Sequence, residues 1–149
     1  MDIHAMTNVL NKKSGVLGLS GLSSDFRDLE KAQNEGDARS TLAREVFCYQ
    51  GRKLIASYAA AMGGVDCVVF TAGVGENDGD VRERMVEDLG FLGIAIDPER
   101  DKVRSKVAEL SPEGAKVKVL MIPTNEELVI ARDTLELVTA SNHNRSAGL

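Results

Sequence analysis

The feature that most constrains the fold is a short apolar run that ends in a glycine-rich loop. Val65–Phe70 is largely apolar and is preceded by glycines, which predicts a strand buried on both faces. Gly73 and Gly75 follow the run, and Asn77 or Asp78 can cap the helix that comes next. A strand, a glycine-rich turn and a capped helix in this order are typical of an α/β fold.

A long helix precedes this unit. Asp37 is a suitable N-cap residue, apolar residues then recur at spacings of three or four, and Gly63 and Gly64 provide a stop signal. Gly51 lies inside the helix, where it costs about 1 kcal/mol relative to alanine. A close packing contact is the simplest reason for a glycine there, and we expect one at that position.

The rest of the chain divides into shorter elements. Met1–Lys13 has helical spacing without a capping residue at its start, and Ser14–Asp28 has the glycine and serine content of a structured loop. Patterning and turn residues predict a helix that ends at Gly90, a strand at Ile94–Ile96, an exposed helix at Arg100–Leu110, a buried strand at Val117–Ile122 and a helix from Thr124. This alternation predicts an α/β layer in which helical crossovers join parallel strands. We expect residues 1–140 to form it and the polar segment 141–149 to be disordered.

Charge and cysteine content narrow the classes of partner. The net charge is −5 and the sequence has no basic stripe, which argues against nucleic acid as the main partner but not against a nucleotide. Cys48 and Cys67 are too few for a disulfide framework, and we expect Cys67 to be a buried, reduced packing residue. The sequence has neither a signal peptide nor an apolar run of membrane-spanning length, so we expect a cytoplasmic location.

The loop Thr71–Asn77 follows a predicted strand at the position where α/β proteins bind ligands. Its glycines can bring the backbone close to a ligand, and they can equally form a tight turn that requires positive φ. Gly73 and Gly75 fit a dinucleotide-binding fingerprint, but Asp78 occupies the place of the third glycine and Asp97 gives only weak support as a ribose ligand. A Walker A loop is excluded because no Gly-Lys-Ser or Gly-Lys-Thr follows.

Four segments in order resemble the successive conserved blocks of acetate kinases. They are Asn11–Gly15, Ser24–Arg27, Phe70–Asn77 and Ile122–Leu128. The resemblance covers nearly the whole chain and implies part of the C-terminal lobe of a ribonuclease H-like fold of the actin, Hsp70 and sugar kinase type, with central strands and flanking helices. It also implies reversible transfer of the γ-phosphoryl group of ATP to acetate, with ADP and acetyl phosphate as products, and homodimers joined through this lobe.

The resemblance assigns roles to particular residues. Those that match the adenosine-binding segments of the family are Asp25, Phe26, Arg27, Gly73, Val74, Gly75, Glu76 and Asn77. Asp25 can alternatively cap the turn that follows it. Glu126 matches a magnesium-linked glutamate, and Mg²⁺ commonly takes one or two carboxylates with water and substrate phosphates. Thr124 and Glu127 have the spacing of a capping box, which leaves Glu126 free, although a carboxylate at a helix start also interacts favourably with the helix dipole.

Complete acetate kinases are more than twice as long as this chain. The resemblance places the catalytic aspartate, the transition-state histidine and arginines and the acetate pocket outside these 149 residues. We therefore expect negligible kinase activity from the isolated chain, since phosphoryl transfer depends on several positioned groups. We also expect unpaired sheet edges and an oligomer.

Three functions stay open at this point. The first is an acyl kinase of the acetate, propionate or butyrate type, with ATP or ADP as substrate and Mg²⁺ as cofactor. The second is a nucleotide-binding or regulatory module without catalysis. The third is a dinucleotide-dependent oxidoreductase domain, against which Asp78 counts.

Overall fold

The computed structural model describes residues 2–146, with side chains through Thr139. In chain order its elements are α1 (Ile3–Lys12), α2 (Gly15–Ser20), α3 (Phe26–Asn34), α4 (Ala38–Ala61), β1 (Cys67–Phe70), α5 (Ala72–Asn77), α6 (Gly79–Val86), a 3₁₀ turn (Gly90–Leu92), β2 (Ala108–Glu109), β3 (Lys118–Met121) and α7 (Glu126–Ser146). Across this described range, every helix is too short or too polar to cross a membrane.

The strands form a three-stranded sheet in the order β1-β3-β2. β1 and β3 are parallel, with Phe70 opposite Met121, and α5 and α6 lie between them in the chain. This pair confirms the predicted parallel strands with a helical crossover. β2 is antiparallel to β3, which the sequence analysis did not predict.

The hydrophobic core lies against one face of β3. Lys118–Met121 alternates between half-buried and buried residues, and Val119 and Met121 are fully buried. The side chains that pack with them each expose less than a tenth of their surface: Phe70, Val86, Leu89, Ile94, Leu110 and Val117. This aliphatic core joins β1 and β3 to the end of α6.

The long helix is confirmed with its predicted cap. Asp37 Oδ1 accepts a hydrogen bond of 2.6 Å from Ser40 N. Hydrogen bonding by the side chain and then the backbone of Ser40 lowers the pKa of the Asp37 carboxyl. α4 then continues to Ala61 and is followed by Gly63 at φ +73°. The expected contact at Gly51 is also present, because a Cβ there would lie 2.8 Å from Met85 Cε of α6.

The region before α4 is more helical than the sequence predicts. Ser14–Asp28, expected to be a loop, contains α2 and the start of α3. Gly21 ends α2 in the left-handed conformation, and Asp25 caps α3. α1 also has a capping start, since Asp2 Oδ1 accepts from Ala5 N at 2.7 Å. These short helices end and begin at local caps that a search for apolar periodicity does not detect.

Two predictions between α6 and β3 are wrong. Ile94–Ile96 is not a strand, although Ile94 is buried in the core, and Arg100–Leu110 is an irregular segment that ends in β2. The reason lies in Asp101, whose carboxylate and carbonyl both accept hydrogen bonds from Arg82 of α6. These bonds hold the segment in a non-helical path.

The predicted burial of β1 is correct on one face only. Phe70 is buried, whereas Cys67 is exposed and Val69 is 48% exposed. The described chain supplies no layer over this face of β1. β1 is also an edge strand, because the strand order is β1-β3-β2. Cys48 is the buried cysteine, and burial raises the pKa of its thiol to about 11.

The start and end of α7 both differ from the prediction. Asn125 is the capping residue, because its Oδ1 accepts from Leu128 N at 3.0 Å, and the predicted capping box of Thr124 and Glu127 does not form. α7 continues through Ser146 and so extends into the segment 141–149 that was expected to be disordered. The remainder of that segment, residues 147–149, lies outside the described residues.

The contact of Gly51 with Met85 can be tested by a double-mutant cycle. Gly51→Leu should lower the free energy of unfolding by about 1–2 kcal/mol, since the new side chain displaces Met85. In a Met85→Ala background the same substitution should cost nothing, because the space is vacant. Urea unfolding of the four proteins measures the coupling, and an equal cost in both backgrounds would contradict the contact.

Candidate functional site

The charged segment Asp25–Arg27 and the glycine-rich segment Gly73–Asn77, both predicted to bind a nucleotide, meet in one open cleft. We call it the α3–α5 cleft; it encloses about 610 Å³. One wall comes from the start of α3 and comprises Ser24, Asp25, Phe26, Arg27 and Glu30. The opposite wall comes from α5 and its flanks and comprises Gly73, Val74, Asn77, Asp78 and Arg104.

Asp25 orders the α3 wall. Its Oδ1 accepts from Arg27 N at 2.9 Å, so it caps α3, and its Oδ2 accepts from Arg27 Nη2 at 2.6 Å. These hydrogen bonds from Arg27 hold the pKa of the Asp25 carboxyl at about 2. The capping alternative for Asp25 is therefore confirmed, and the same side chain lies beside the cleft.

Phe26 attaches this wall to the body of the molecule. Its ring lies 4.6 Å from the ring of Phe47 on α4, centroid to centroid. The guanidinium carbon of Arg44, also on α4, lies 5.9 Å from the Phe26 ring centroid. The half-buried ring is thus anchored to α4 and also lines the cleft.

The predicted loop Thr71–Asn77 is mostly a short helix, α5, that begins at Ala72 with φ +59°. Gly73 borders open space, because a Cβ built on it would meet no atom within 4 Å. Gly75 is different, since a Cβ there would lie 3.3 Å from the carbonyl carbon of Phe70. Gly73 therefore keeps the cleft open, and Gly75 permits α5 to pack on β1.

Glu76 faces away from the cleft. It is 9% exposed, and its Oε1 accepts from Thr124 N at 2.8 Å and from Thr124 Oγ1 at 3.0 Å. The carboxylate thereby ties α5 to the segment that leads into α7. The next residue, Asn77, does line the cleft; its Nδ2 donates to Gly73 O at 2.9 Å.

Asp78 joins the cleft to α4 through a buried ion pair. Its two oxygens accept from Arg44 Nη1 at 2.8 Å and Nη2 at 3.2 Å, and its Oδ1 also accepts from Val81 N at 3.0 Å. Arg44 is 1% exposed and gains a further bond of 2.9 Å to Asp80. One carboxylate thus caps α6 and neutralises a buried guanidinium.

A second buried arginine, Arg82, lies on α6, one turn after Asp78. Arg82 Nε donates to Asp101 Oδ1 at 2.7 Å, and its Nη1 donates to Gly75 O at 2.9 Å. Burial raises the pKa of Asp101, while the hydrogen bond and charge of Arg82 lower it. Neither arginine was predicted to be buried, although each stands four residues before a buried apolar residue of its helix, Cys48 and Val86.

Glu126 is separate from the α3–α5 cleft. It is exposed at the first turn of α7, next to the capping residue Asn125. Within the described part of the chain, no group of three or more His, Cys, Asp or Glu side chains is placed to hold a metal ion. Glu126 can therefore offer one carboxylate. Two residues before it, Thr124 donates to Glu76, which ties the segment that leads into α7 to α5.

Residues 1–132 match the family model described as the acetokinase family. The chain belongs to the acetokinase family. It is 60% identical over 133 residues to the acetate kinase of Treponema denticola, which covers 89% of this chain and 34% of that protein. It is 54% identical to the acetate kinase of Caldicellulosiruptor saccharolyticus, with 93% of this chain and 35% of that protein covered.

Solved structures give the same result. The acetate kinase of Porphyromonas gingivalis matches with a TM-score of 0.87 and 44% identity, covering 93% of this chain and 35% of that one. A propionate kinase from Francisella tularensis matches with a TM-score of 0.78 and 34% identity, covering 88% and 33%. These matches confirm the predicted fold class, and this acetokinase chain spans about a third of the length of the relatives it matches.

The two acidic partners of Arg44 should differ in their effect on stability. Asp78→Ala leaves a buried guanidinium without its main partner and removes a helix cap, so we expect it to lower the free energy of unfolding by about 3–5 kcal/mol. Asp80→Ala is the matched control: Asp80 is 41% exposed, and its loss should cost about 1 kcal/mol or less. Urea unfolding measures both, and equal costs would contradict the assigned roles.

Proposed function

We propose that the α3–α5 cleft binds the adenosine part of ATP or ADP in an acetate kinase-type phosphoryl transfer. The observation that carries the proposal is the meeting of Asp25–Arg27 and Gly73–Asn77 in one cleft, since the sequence separates these segments widely. Both segments resemble adenosine-binding blocks of the family to which the chain belongs. The cleft size falls within the range of small-ligand sites.

The lining residues suit a nucleoside. Phe26 and Val74 offer apolar surface to a base, and Gly73 leaves room for it. The Asn77 amide already donates one N–H to Gly73 O, and its oxygen accepts one hydrogen bond from Ser105 Oγ. Its second N–H and second lone pair remain for a ligand. In the proposed complex, Arg27 keeps its pair with Asp25 and places its planar guanidinium at the rim.

We propose Glu126 as the magnesium-linked residue of the full-length enzyme. A single exposed carboxylate fits an ion that keeps several waters and takes its other ligands from substrate phosphates. Bound Mg²⁺ would supply charge neutralisation for the transferred phosphoryl group. The contribution of this chain is then to bind and orient the nucleotide and to provide that carboxylate. We expect the 149 residues alone to bind nucleotide without measurable kinase activity.

The acceptor is proposed to be a short-chain carboxylate, with ATP and acetate giving ADP and acetyl phosphate reversibly. Acetate is supported by the two curated relatives above. Propionate is the second candidate, supported by the propionate kinase neighbour, and butyrate is a further variant of the same chemistry. The alternative, a nucleotide-binding module without catalysis, would use the same cleft. It would differ from a kinase in that the full-length protein would bind nucleotide without transferring a phosphoryl group.

A homo-oligomer, most simply a homodimer, is part of the proposal, and so is a cytoplasmic location. Support for the oligomer comes from apolar side chains that α4 leaves exposed: Leu42, Tyr49, Leu54 and Tyr58. The open edge of β1 adds unpaired backbone groups. A sheet edge and exposed apolar side chains of this kind favour association with another chain.

Filling the cleft provides the direct test. Gly73→Leu should reduce ADP affinity at least tenfold in calorimetric titration, since its side chain would extend from a position with free space into the cleft. Gly90→Leu is the matched control: a Cβ there also meets no atom within 4 Å, but Gly90 borders a different cleft beside Ile94–Pro98. Unchanged affinity in Gly73→Leu, with unchanged thermal unfolding, would refute the site.

The magnesium role is tested by neighbouring glutamates. Glu126→Gln should remove the part of ADP or ATP affinity that depends on Mg²⁺ and leave metal-free binding unchanged. Glu127→Gln, at the next position of the same exposed helical turn, should retain the magnesium effect. Calorimetry with and without Mg²⁺ measures both variants. An equal response from the two would indicate a general charge effect of the α7 start.

A further inference from the structure

The irregular segment Asp101–Ser105 supplies a residue to the α3–α5 cleft that the resemblance does not include. Arg104 lines the cleft together with Gly73 and Asn77, and its side chain is exposed. Among the side chains described through Thr139, Arg104 has no ion-pair partner, whereas Arg27 is occupied by Asp25. Arg104 is therefore the cleft guanidinium that makes no hydrogen bond to another described side chain or to the backbone, so that all of its donors are available to a ligand.

Buried Arg82 fixes the chain just before Arg104. Its Nη2 donates to Asp101 O at 3.1 Å and to Val103 O at 3.2 Å. The same guanidinium donates through Nη1 to Gly75 O of α5 at 2.9 Å. One fully buried side chain thus holds this segment and α5 at a set distance from each other.

Ser105 fixes the chain just after Arg104. Its N donates to Glu76 O at 3.3 Å, and its Oγ donates to Asn77 Oδ1 at 3.0 Å. Its φ of +46° is uncommon for a residue other than glycine and persists only where surrounding contacts determine it. The backbone is therefore fixed before Arg104 by Arg82 and after it by the bonds of Ser105 to Glu76 and Asn77.

The charges of the cleft indicate which part of a nucleotide Arg104 contacts. Three carboxylates, of Asp25, Glu30 and Asp78, line the cleft with two guanidiniums, of Arg27 and Arg104. Asp25 is paired with Arg27 and Asp78 with buried Arg44, so that Glu30 and Arg104 are the lining charges without an ion pair among the described side chains. One cation against one carboxylate gives no excess of positive charge to hold phosphates, and such a cleft accommodates a neutral base and ribose. A planar guanidinium can stack on a purine or donate to its acceptor nitrogens.

We propose that Arg104 is a further adenosine-binding residue, which contacts the base or ribose and is positioned by Arg82 and Ser105. The inference rests on the proposed nucleotide site and adds a specificity-determining contact to it. Because Arg104 is exposed, its replacement should leave the fold intact. The effect on binding can then be measured without an effect on stability.

The test titrates adenosine and ADP into the 149-residue chain and three variants. Arg104→Gln should weaken both ligands by the same factor, about tenfold. Arg104→Lys should not restore affinity, since an ammonium lacks the planar fork of a guanidinium. Lys106→Gln, an exposed cation of the same segment that is not among the cleft residues, should change affinity less than about twofold. Thermal unfolding of all the proteins should coincide.

Each other outcome would overturn the inference in a recognisable way. Unchanged binding in Arg104→Gln would remove Arg104 from the site while leaving the proposed function intact. Weakened ADP with unchanged adenosine, or rescue by Arg104→Lys, would indicate a phosphate contact instead. An equal loss in Lys106→Gln would indicate general electrostatics. If the unaltered chain bound neither ligand, the nucleotide site itself would be refuted.

Discussion

The ion pair of Arg44 with Asp78 is the interaction on which the site depends. Arg44 is almost wholly buried on α4, and its charge is tolerated there because Asp78 accepts from both terminal nitrogens. The same carboxylate caps α6, so the position of α6 relative to α4 is fixed at its first turn. Arg82, one turn later, attaches α5 and the Asp101–Val103 segment to that helix. The α5 wall of the cleft is therefore positioned by the first turns of α6, while Phe26 of the α3 wall packs on Phe47 and Arg44 of α4.

This arrangement explains why the glycine-rich segment does not match the dinucleotide-binding fingerprint. A dinucleotide fingerprint needs a glycine where this chain has Asp78, and that acid is committed to Arg44 and to the α6 cap. Gly73 and Gly75 also divide their tasks, since Gly73 borders the open cleft and Gly75 allows close packing on Phe70. The glycines thus serve two physical purposes within one short helix.

Local signals in the sequence predict much of the fold. The caps at Asp37 and Asp78, the packing contact at Gly51 and the parallel pair of β1 and β3 follow from residue type and spacing. The wrong elements depend on partners far away in the chain. A helix at Arg100–Leu110 is prevented by Arg82, and a cap at Thr124 is displaced because Glu76 holds that residue. The candidate binding segments could be predicted from the family resemblance, because both match adenosine-binding blocks. The orientation of Glu76 away from the cleft and the position of Arg104 in it could not, because both depend on contacts between residues far apart in the chain.

The central claim is that the α3–α5 cleft is formed within this chain and receives adenosine there. Backbone amide chemical shifts of the 149-residue chain, followed by NMR during titration with ADP, test it most directly. The account predicts saturable shifts at Asp25–Arg27, Gly73–Val74, Asn77 and Arg104. Shifts confined to the other cleft, beside Glu83–Gly90 and Ile94–Pro98, or none at saturating ADP, would contradict it.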